Sequence, residues 1–277
     1  MFDQTRLLLE RYNARLDRKS GQNQVIDPSV LWAMIDHAEL SGQETVLEIG
    51  AGTGNLTTIL AQRAGKVIAV EKDQQLTRIL QERLREYKNV KLFNCDALDM
   101  ELPSFDKVVS NLPYQISSDI TFKLLREKFE FAVLMYQAEF ADRLVAAPGS
   151  ADYSRLTVNV SYRASVELLD EVLPTAFLPQ PKVNSRIVKM RPRDPPFKVI
   201  DEEIFSRVVR ALFQHRRQRV CNALLRSFTE VFPDKHLIKT ERRKSISEKI
   251  TEQLANKRVV DLRPEEFGEI ANLLTSP

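Results

Sequence analysis

Five short β-branched runs, separated by stretches of helical periodicity, constrain this chain more than any other feature. ETVLEIG (44–50), KVIAVEKD (66–73), VKLFNCD (90–96), FDKVVSN (105–111) and FAVLMYQ (131–137) alternate with patterns such as QLTRILQERLREY. Alternation of this kind predicts an α/β architecture, a parallel sheet wrapped by helices. The pattern stops at RPRDPPFKV (191–199), where Pro192, Pro195 and Pro196 forbid continuation of helix or sheet. Beyond it only amphipathic stretches follow, at 202–214, 217–230, 241–256 and 264–274. The expected division is therefore a sheet domain over 1–192 and a small all-helical domain over 197–277.

A chain of 277 residues that is 43% hydrophobic and 29% charged can bury cores for both. The start, MFDQTRLLLERYN, has no apolar signal region, and the longest strongly apolar stretch, FAVLMY, is too short to span a bilayer. The expectation is a cytoplasmic protein with no membrane contact. Cys95 and Cys221 have no metal-type partner spacing, so two reduced thiols and no metal site are expected. The net charge of +3 is modest but unevenly spread: between Glu203 and Glu230 there is no acid, while Arg207, Arg210, Arg216, Arg217, Arg219 and Arg226 fall there, with His215. Such a surface attracts phosphate backbones. A solvated face opposite Ile204, Val208, Val209 and Leu212 is the alternative, but solvated faces usually mix signs.

In a doubly wound sheet, ligands bind beyond the carboxyl ends of the strands, where the unusual residues fall. The first run ends in EIGAGTGNL, whose Gly50, Gly52 and Gly54 let backbone pass close to a ligand. The dinucleotide fingerprint would need glycine at 55, where Asn55 stands, and no phosphate-binding G-x-x-x-x-G-K-[ST] is present. Glu71 ends the second run, placed to accept from two ribose hydroxyls; Asp96 ends the third and can accept from an adenine amine, or cap a helix opened by DALDM. The fourth run leads into Asn111, Leu112, Pro113 and Tyr114, which as residue types also suit an ordinary turn.

Taken together, EIGAGTGNLT, VEKD, CDAL, NLPYQIS, FLPQPKVNS (177–185) and FQHRRQRVCNALL (213–225) resemble the KsgA/RsmA family of small-subunit ribosomal RNA adenine dimethyltransferases, from about Arg15 to the C-terminus. The resemblance implies a Rossmann-like S-adenosylmethionine-dependent methyltransferase sheet with a helical RNA-binding domain. It implies S-adenosylmethionine as methyl donor, held by Gln22, Asn23, Val25, Gly50, Gly52, Glu71, Lys72, Asp96, Ala97 and Asn111. Two adjacent adenosines near the 3′ end of small-subunit rRNA would be the substrate, the immature small subunit the partner, and a monomer the working form. One departure stands out. The family signature G-Q-N-F-L-x-D reads GQNQVID here, so Gln24 replaces an aromatic and Val25 a leucine.

The resemblance gives NLPY a chemical reading. An adenine amine is a poor nucleophile because its lone pair is delocalised into the ring, and two acceptors can draw that density back to nitrogen. The Asn111 side-chain oxygen and the Leu112 carbonyl would accept one N–H each, with Pro113 stiffening the turn. Tyr114 offers a face on which a flipped base stacks, and Phe177 would close the other face unless it is a core residue beside Leu178. Arg207, Arg210, Arg216, Arg217 and Arg219 are the expected RNA contacts. The rival readings are a large-subunit rRNA adenine methyltransferase, disfavoured by the arginine-rich segment, and a non-catalytic RNA-binding ribosome assembly factor, disfavoured by the intact Asn111, Pro113 and Tyr114.

Overall fold

The computed structural model of the protein describes residues 2–16 and 21–275. The chain forms two compact units, one from residues up to Ala141 together with Ser165–Pro192, the other from Asp142–Ala164 together with residues from Arg193 onward. A single boundary at 192 therefore does not separate them, because residues 142–164 pack with the C-terminal helices.

The first unit holds nine strands: β1 (Gln24–Val25), β2 (Thr45–Ile49), β3 (Lys66–Glu71), β4 (Val90–Asn94), β5 (Lys107–Asn111), β6 (Phe131–Gln137), β7 (Ala164–Val172, whose first residue belongs to the second unit), β8 (Phe177–Leu178) and β9 (Ser185–Pro192). Seven of them form one sheet in the order β4-β3-β2-β5-β6-β9-β7. The pairs β2–β3, β3–β4, β2–β5 and β5–β6 are parallel, as the alternation predicts. The sheet as a whole is mixed, because β9 runs antiparallel to β6 with Met135 opposite Ile187. A separate antiparallel pair joins β1 to β8, setting Val25 opposite Phe177. Residues 131–136 of β6 are wholly buried, as a strand covered on both faces requires.

Helices α1 (Phe2–Arg11), α2 (Pro28–His37), α3 (Asn55–Arg63), α4 (Gln74–Arg83), α5 (Ser117–Leu124) and α6 (Ala138–Leu144) alternate with the strands. Their starts are written locally: Asp27 caps α2, its carboxylate accepting from Ser29 N at 2.9 Å with Pro28 in the first turn, and Asp73 caps α4, accepting from Gln75 N at 2.8 Å. The order of strands reverses at β2, which has β3 on one side and β5, reached only after β4, on the other. The crevice at such a reversal is the expected ligand position.

The second unit contains α7 (Arg155–Arg163), α8 (Glu202–Phe213), α9 (Val220–Arg226), α10 (Phe228–Val231), α11 (Lys239–Lys249), α12 (Glu252–Asn256) and α13 (Pro264–Thr275). The amphipathic stretches expected at 217–230 and 241–256 are each broken into two helices, the second break occurring at the Thr251 cap. Its core joins Tyr153, Val158 and Tyr162 to Phe205, Phe228 and Phe267. Phe213 stacks on Phe267 at 5.2 Å, and the Tyr153 hydroxyl donates to the Leu262 carbonyl at 2.7 Å. Among the described residues no helix is long and apolar enough to cross a membrane, and no group of three His, Cys, Asp or Glu is placed to hold a metal ion.

Candidate donor and base site

A cavity opens beyond the carboxyl ends of β2, β3, β4 and β5, the position at which a sheet of this order takes its ligand. Of the residues expected to hold the donor, Gln22, Asn23, Gly50, Glu71, Lys72, Asp96, Ala97 and Asn111 line it, with Pro113. A smaller cavity shares Gln24, Gly50 and Asn111 with it and is lined by Val25.

The glycine turn is obligatory at two positions. Gly50 (φ +75°) lies so close to Pro113 that a Cβ would sit 2.9 Å from its Cδ, and Gly52 (φ +61°) lies under the Gln24 side chain, whose Oε1 a Cβ would approach to 2.1 Å. Gly52 lines neither cavity, but its N–H donates to Glu71 Oε2 at 2.8 Å, while Asp73 N donates to Oε1 at 2.8 Å. Glu71 is thereby fixed at the end of β3. Burial pushes its carboxyl above the usual range, opposed by those two N–H groups. Each oxygen keeps a lone pair for a hydroxyl.

Asp96 takes the capping role, of a turn rather than a helix. Oδ1 accepts from Leu98 N at 2.9 Å, capping the turn that follows, while Oδ2 lies 3.7 Å from Lys72 Nζ. That turn is held by a residue the sequence reading missed. Lys123, on α5, donates to the carbonyls of Ala97 (2.8 Å), Leu98 (2.9 Å) and Met100. An ammonium satisfying three otherwise unpaired carbonyls stiffens the backbone beside Asp96.

At the start of NLPY, the Asn111 amide donates through Nδ2 to the Asn23 carbonyl at 2.8 Å. This commits its nitrogen and leaves Oδ1 as an acceptor, the role its proposed chemistry needs. Tyr114 begins a short 3₁₀ turn, and its hydroxyl is 2.6 Å from Ser185 Oγ. Ser185 ends the quoted FLPQPKVNS motif, so its signal was present in the sequence without its role. Tyr114 and Leu112 line neither cavity, and the Leu112 side chain is buried.

Phe177 departs from expectation. It is 1% exposed and packs in the core with Val25, Leu31 and Ile35, a consequence of the β1–β8 pairing, so it offers no face to a base. The core reading of this residue holds in the structure.

Asn55, which breaks the dinucleotide fingerprint, is a buried organiser. Its amide donates to the Val25 carbonyl at 2.8 Å and its Oδ1 accepts from Arg83 at 2.8 Å. Glu48 is 2% exposed beside the smaller cavity; its Oε2 and Thr57 Oγ1 have no hydrogen-bond partner among the described residues. Burial pushes its carboxyl up to about 8.

The arginines of the second unit divide. Arg216 donates to the carbonyls of Ala151 (2.9 Å) and Ser150 (3.0 Å), Arg219 to Asn256 Oδ1 at 3.2 Å, and Arg207 pairs with Glu203. Arg210 and Arg217 are exposed and, among the described residues, have no such partner. Three of the five expected phosphate contacts thus also serve local structure.

Comparison with known proteins gives a consistent result. Residues 13–275 match the family model described as ribosomal RNA adenine dimethylase. The chain is 46% identical over 269 residues to a probable ribosomal RNA small subunit methyltransferase A of Methanosarcina mazei, covering 97% of this chain and 96% of the relative. A protein of the same description from Thermococcus gammatolerans is 45% identical, covering 98% and 93%. Among solved structures, a dimethyladenosine transferase from Plasmodium falciparum superposes with a TM-score of 0.73 at 29% identity, covering 88% of this chain and 94% of that one. The 23S rRNA methyltransferase ErmE gives 0.64 at 28% identity, covering 92% and 100%.

Proposed function

The chain belongs to the ribosomal RNA adenine dimethylase family, and from that premise we propose that it transfers methyl groups from S-adenosylmethionine to N6 of two adjacent adenosines near the 3′ end of small-subunit rRNA. The immature small subunit is the proposed partner, in the cytoplasm, with the protein acting as a monomer. The observation that carries the reading is the locked Asn111 amide at the edge of a cavity that also holds the glycine turn, Glu71 and Asp96.

The residues fit this donor. Glu71 has lone pairs left for the ribose hydroxyls, Asp96 and Ala97 lie where the adenine would be read, and Gly50 lines the end of the cavity left for the methionine part. When bound, the donor supplies an electrophilic sulfonium methyl.

The protein's own work is to prepare the nucleophile. Asn111 Oδ1 accepts one amine N–H and the Leu112 carbonyl the other, which returns lone-pair density to nitrogen. Because both acceptors are fixed before the base arrives, the reorganisation cost falls outside the chemical step. No strong base is needed, since the methylated nitrogen is very acidic and its proton can leave to water. Tyr114, anchored by Ser185, stacks on a base taken out of its helix.

The test is single-turnover methylation of small-subunit particles, on variants with native melting and donor affinity. Asn111→Ala is expected to lower the rate by about 10²–10³-fold. Tyr114→Ala should weaken binding of the adenosine by roughly 1–3 kcal/mol. Tyr114→Phe should keep most activity and lose only the Ser185 tie. A folded Asn111→Ala that methylates at the parental rate refutes the mechanism.

A further inference from the structure

Gln24 stands where the family signature carries an aromatic, and the structure gives it a task an aromatic could not perform. Its Oε1 accepts from Thr53 N at 2.9 Å and from Thr53 Oγ1 at 3.2 Å. The amide is thereby pinned over Gly52, at a place where a Cβ on that glycine would lie 2.1 Å from Oε1 and 2.5 Å from Nε2. Its oxygen is committed to Thr53, whereas Nε2 has no hydrogen-bond partner among the described residues. Gln24 lines both cavities, as Gly50 does, and its Nε2 lies over the neighbouring Gly52.

The charges around that end select what Gln24 can meet. Among the described residues, the ionisable ones lining the two cavities are Glu48, Glu71, Lys72, Asp96 and Cys95, and the one cation of this set, Lys72, faces Asp96 at 3.7 Å. Among the described residues lining the cavities, a carboxylate placed over the glycine turn finds no guanidinium or ammonium free to pair with it, and neutral N–H donors can solvate it instead. An amide can ordinarily serve either an ammonium or a carboxylate. With its oxygen taken by Thr53, Gln24 can only donate, which selects the carboxylate.

We propose that Gln24 Nε2 donates to the carboxylate of the donor's methionine end, making Gln24 a donor-binding residue particular to this version of the signature. The inference rests on S-adenosylmethionine being the donor, and goes beyond it by assigning one side chain to one group of that molecule. It follows that Gln24 reads the presence of the carboxylate.

The experiment compares two ligands by calorimetry, S-adenosylmethionine and its decarboxylated analogue, on the full-length parent and two variants. Gln24→Met removes both the donor and the Thr53 contact. Gln24→Glu keeps an oxygen for Thr53 and puts a negative group where the N–H groups were, so it separates the proposed contact from support of the glycine turn. For the parent, removing the carboxylate should weaken binding by about 10- to 150-fold, the range for a hydrogen bond to a charged group. In Gln24→Met this preference should shrink by about 10-fold or more, and in Gln24→Glu it should vanish or reverse, with the decarboxylated analogue bound about as well as by the parent. Equal weakening of both ligands in Gln24→Met, with an unchanged preference in Gln24→Glu, would overturn the contact and leave Gln24 as a support for Thr53. A parent that binds neither ligand would overturn the donor reading itself, and this contact with it.

Discussion

Two glutamates of the first unit, Glu48 and Glu71, have the same side chain and opposite surroundings. Glu71 receives a backbone N–H on each oxygen, whereas Glu48 Oε2 has no hydrogen-bond partner within 3.5 Å among the described residues. Burial is the main cause of the upward shift of Glu48 to about 8 from an ordinary 4.5; the neighbouring Thr57 hydroxyl opposes it and the nearby Glu71 adds to it. The sign of the linkage follows. The unfolded chain releases this proton near pH 4.5 and the folded chain keeps it to about 8, so the protein loses stability as pH rises between those values. Glu48→Gln removes that dependence. Its Tm relative to the parent should therefore climb steadily from pH 5 to pH 8, as thermal melts in buffers of matched ionic strength would show; a constant difference would mean that Glu48 is already ionised. At this scale the sequence was informative wherever a residue's place at a strand end defines its task. Glu71 and Asp96 could be picked out that way. Lys123 and Ser185 could not, because each acts on a partner far along the chain, 23–26 residues away for Lys123 and 71 for Ser185. Phe177 misled for a related reason: its fate was decided by the pairing of β8 with β1, and two-residue strands leave no periodicity to read.

Among elements, the arginine-rich segment from α8 to α9 shows how a run of charge is divided by folding. Arg216 secures the loop at Ser150 and Ala151, so its loss should cost stability, while Arg210 and Arg217 are exposed without partners among the described residues and Arg226 is exposed on α9. Replacing Arg210, Arg217 and Arg226 with glutamine should leave melting and donor affinity unchanged and weaken RNA binding. The log-log salt slope should flatten by about 0.7–0.9 for each phosphate contact removed. Filter binding across a salt series would measure it, and an unaltered slope would show that these guanidinium groups face only solvent. The strands divide in a similar way. FAVLMYQ announced β6 because every residue from 131 to 136 is apolar and buried. ASVELLDEV and SRIVKMRP, which form β7 and β9, carry charges at irregular places and went unread; their pairing supplies the hydrogen bonds that periodicity did not promise.

For the whole molecule, the alternation of runs was enough to foresee a wrapped sheet followed by helices, and the prolines at 192, 195 and 196 marked a true change of character. What they hid is that α7 belongs with the later helices. RLTVNVSYR is amphipathic, but amphipathicity shows that a face will be covered and not by what. Because Tyr153, Val158 and Tyr162 complete the core of the second unit, the chain passes into that unit, leaves it to lay down β7, β8 and β9, and returns. The return passes through Arg193–Pro196, which is exposed. A single tryptic cut after Arg193 should therefore give two bands on a denaturing gel yet a single peak by size exclusion, since the shorter fragment stays clasped to α7 of the longer one. Release of a free C-terminal fragment without denaturant would show that α7 contributes little to holding the helices together. A protease nick, ordinarily a means of liberating a domain, would here convert one polypeptide into a non-covalent pair.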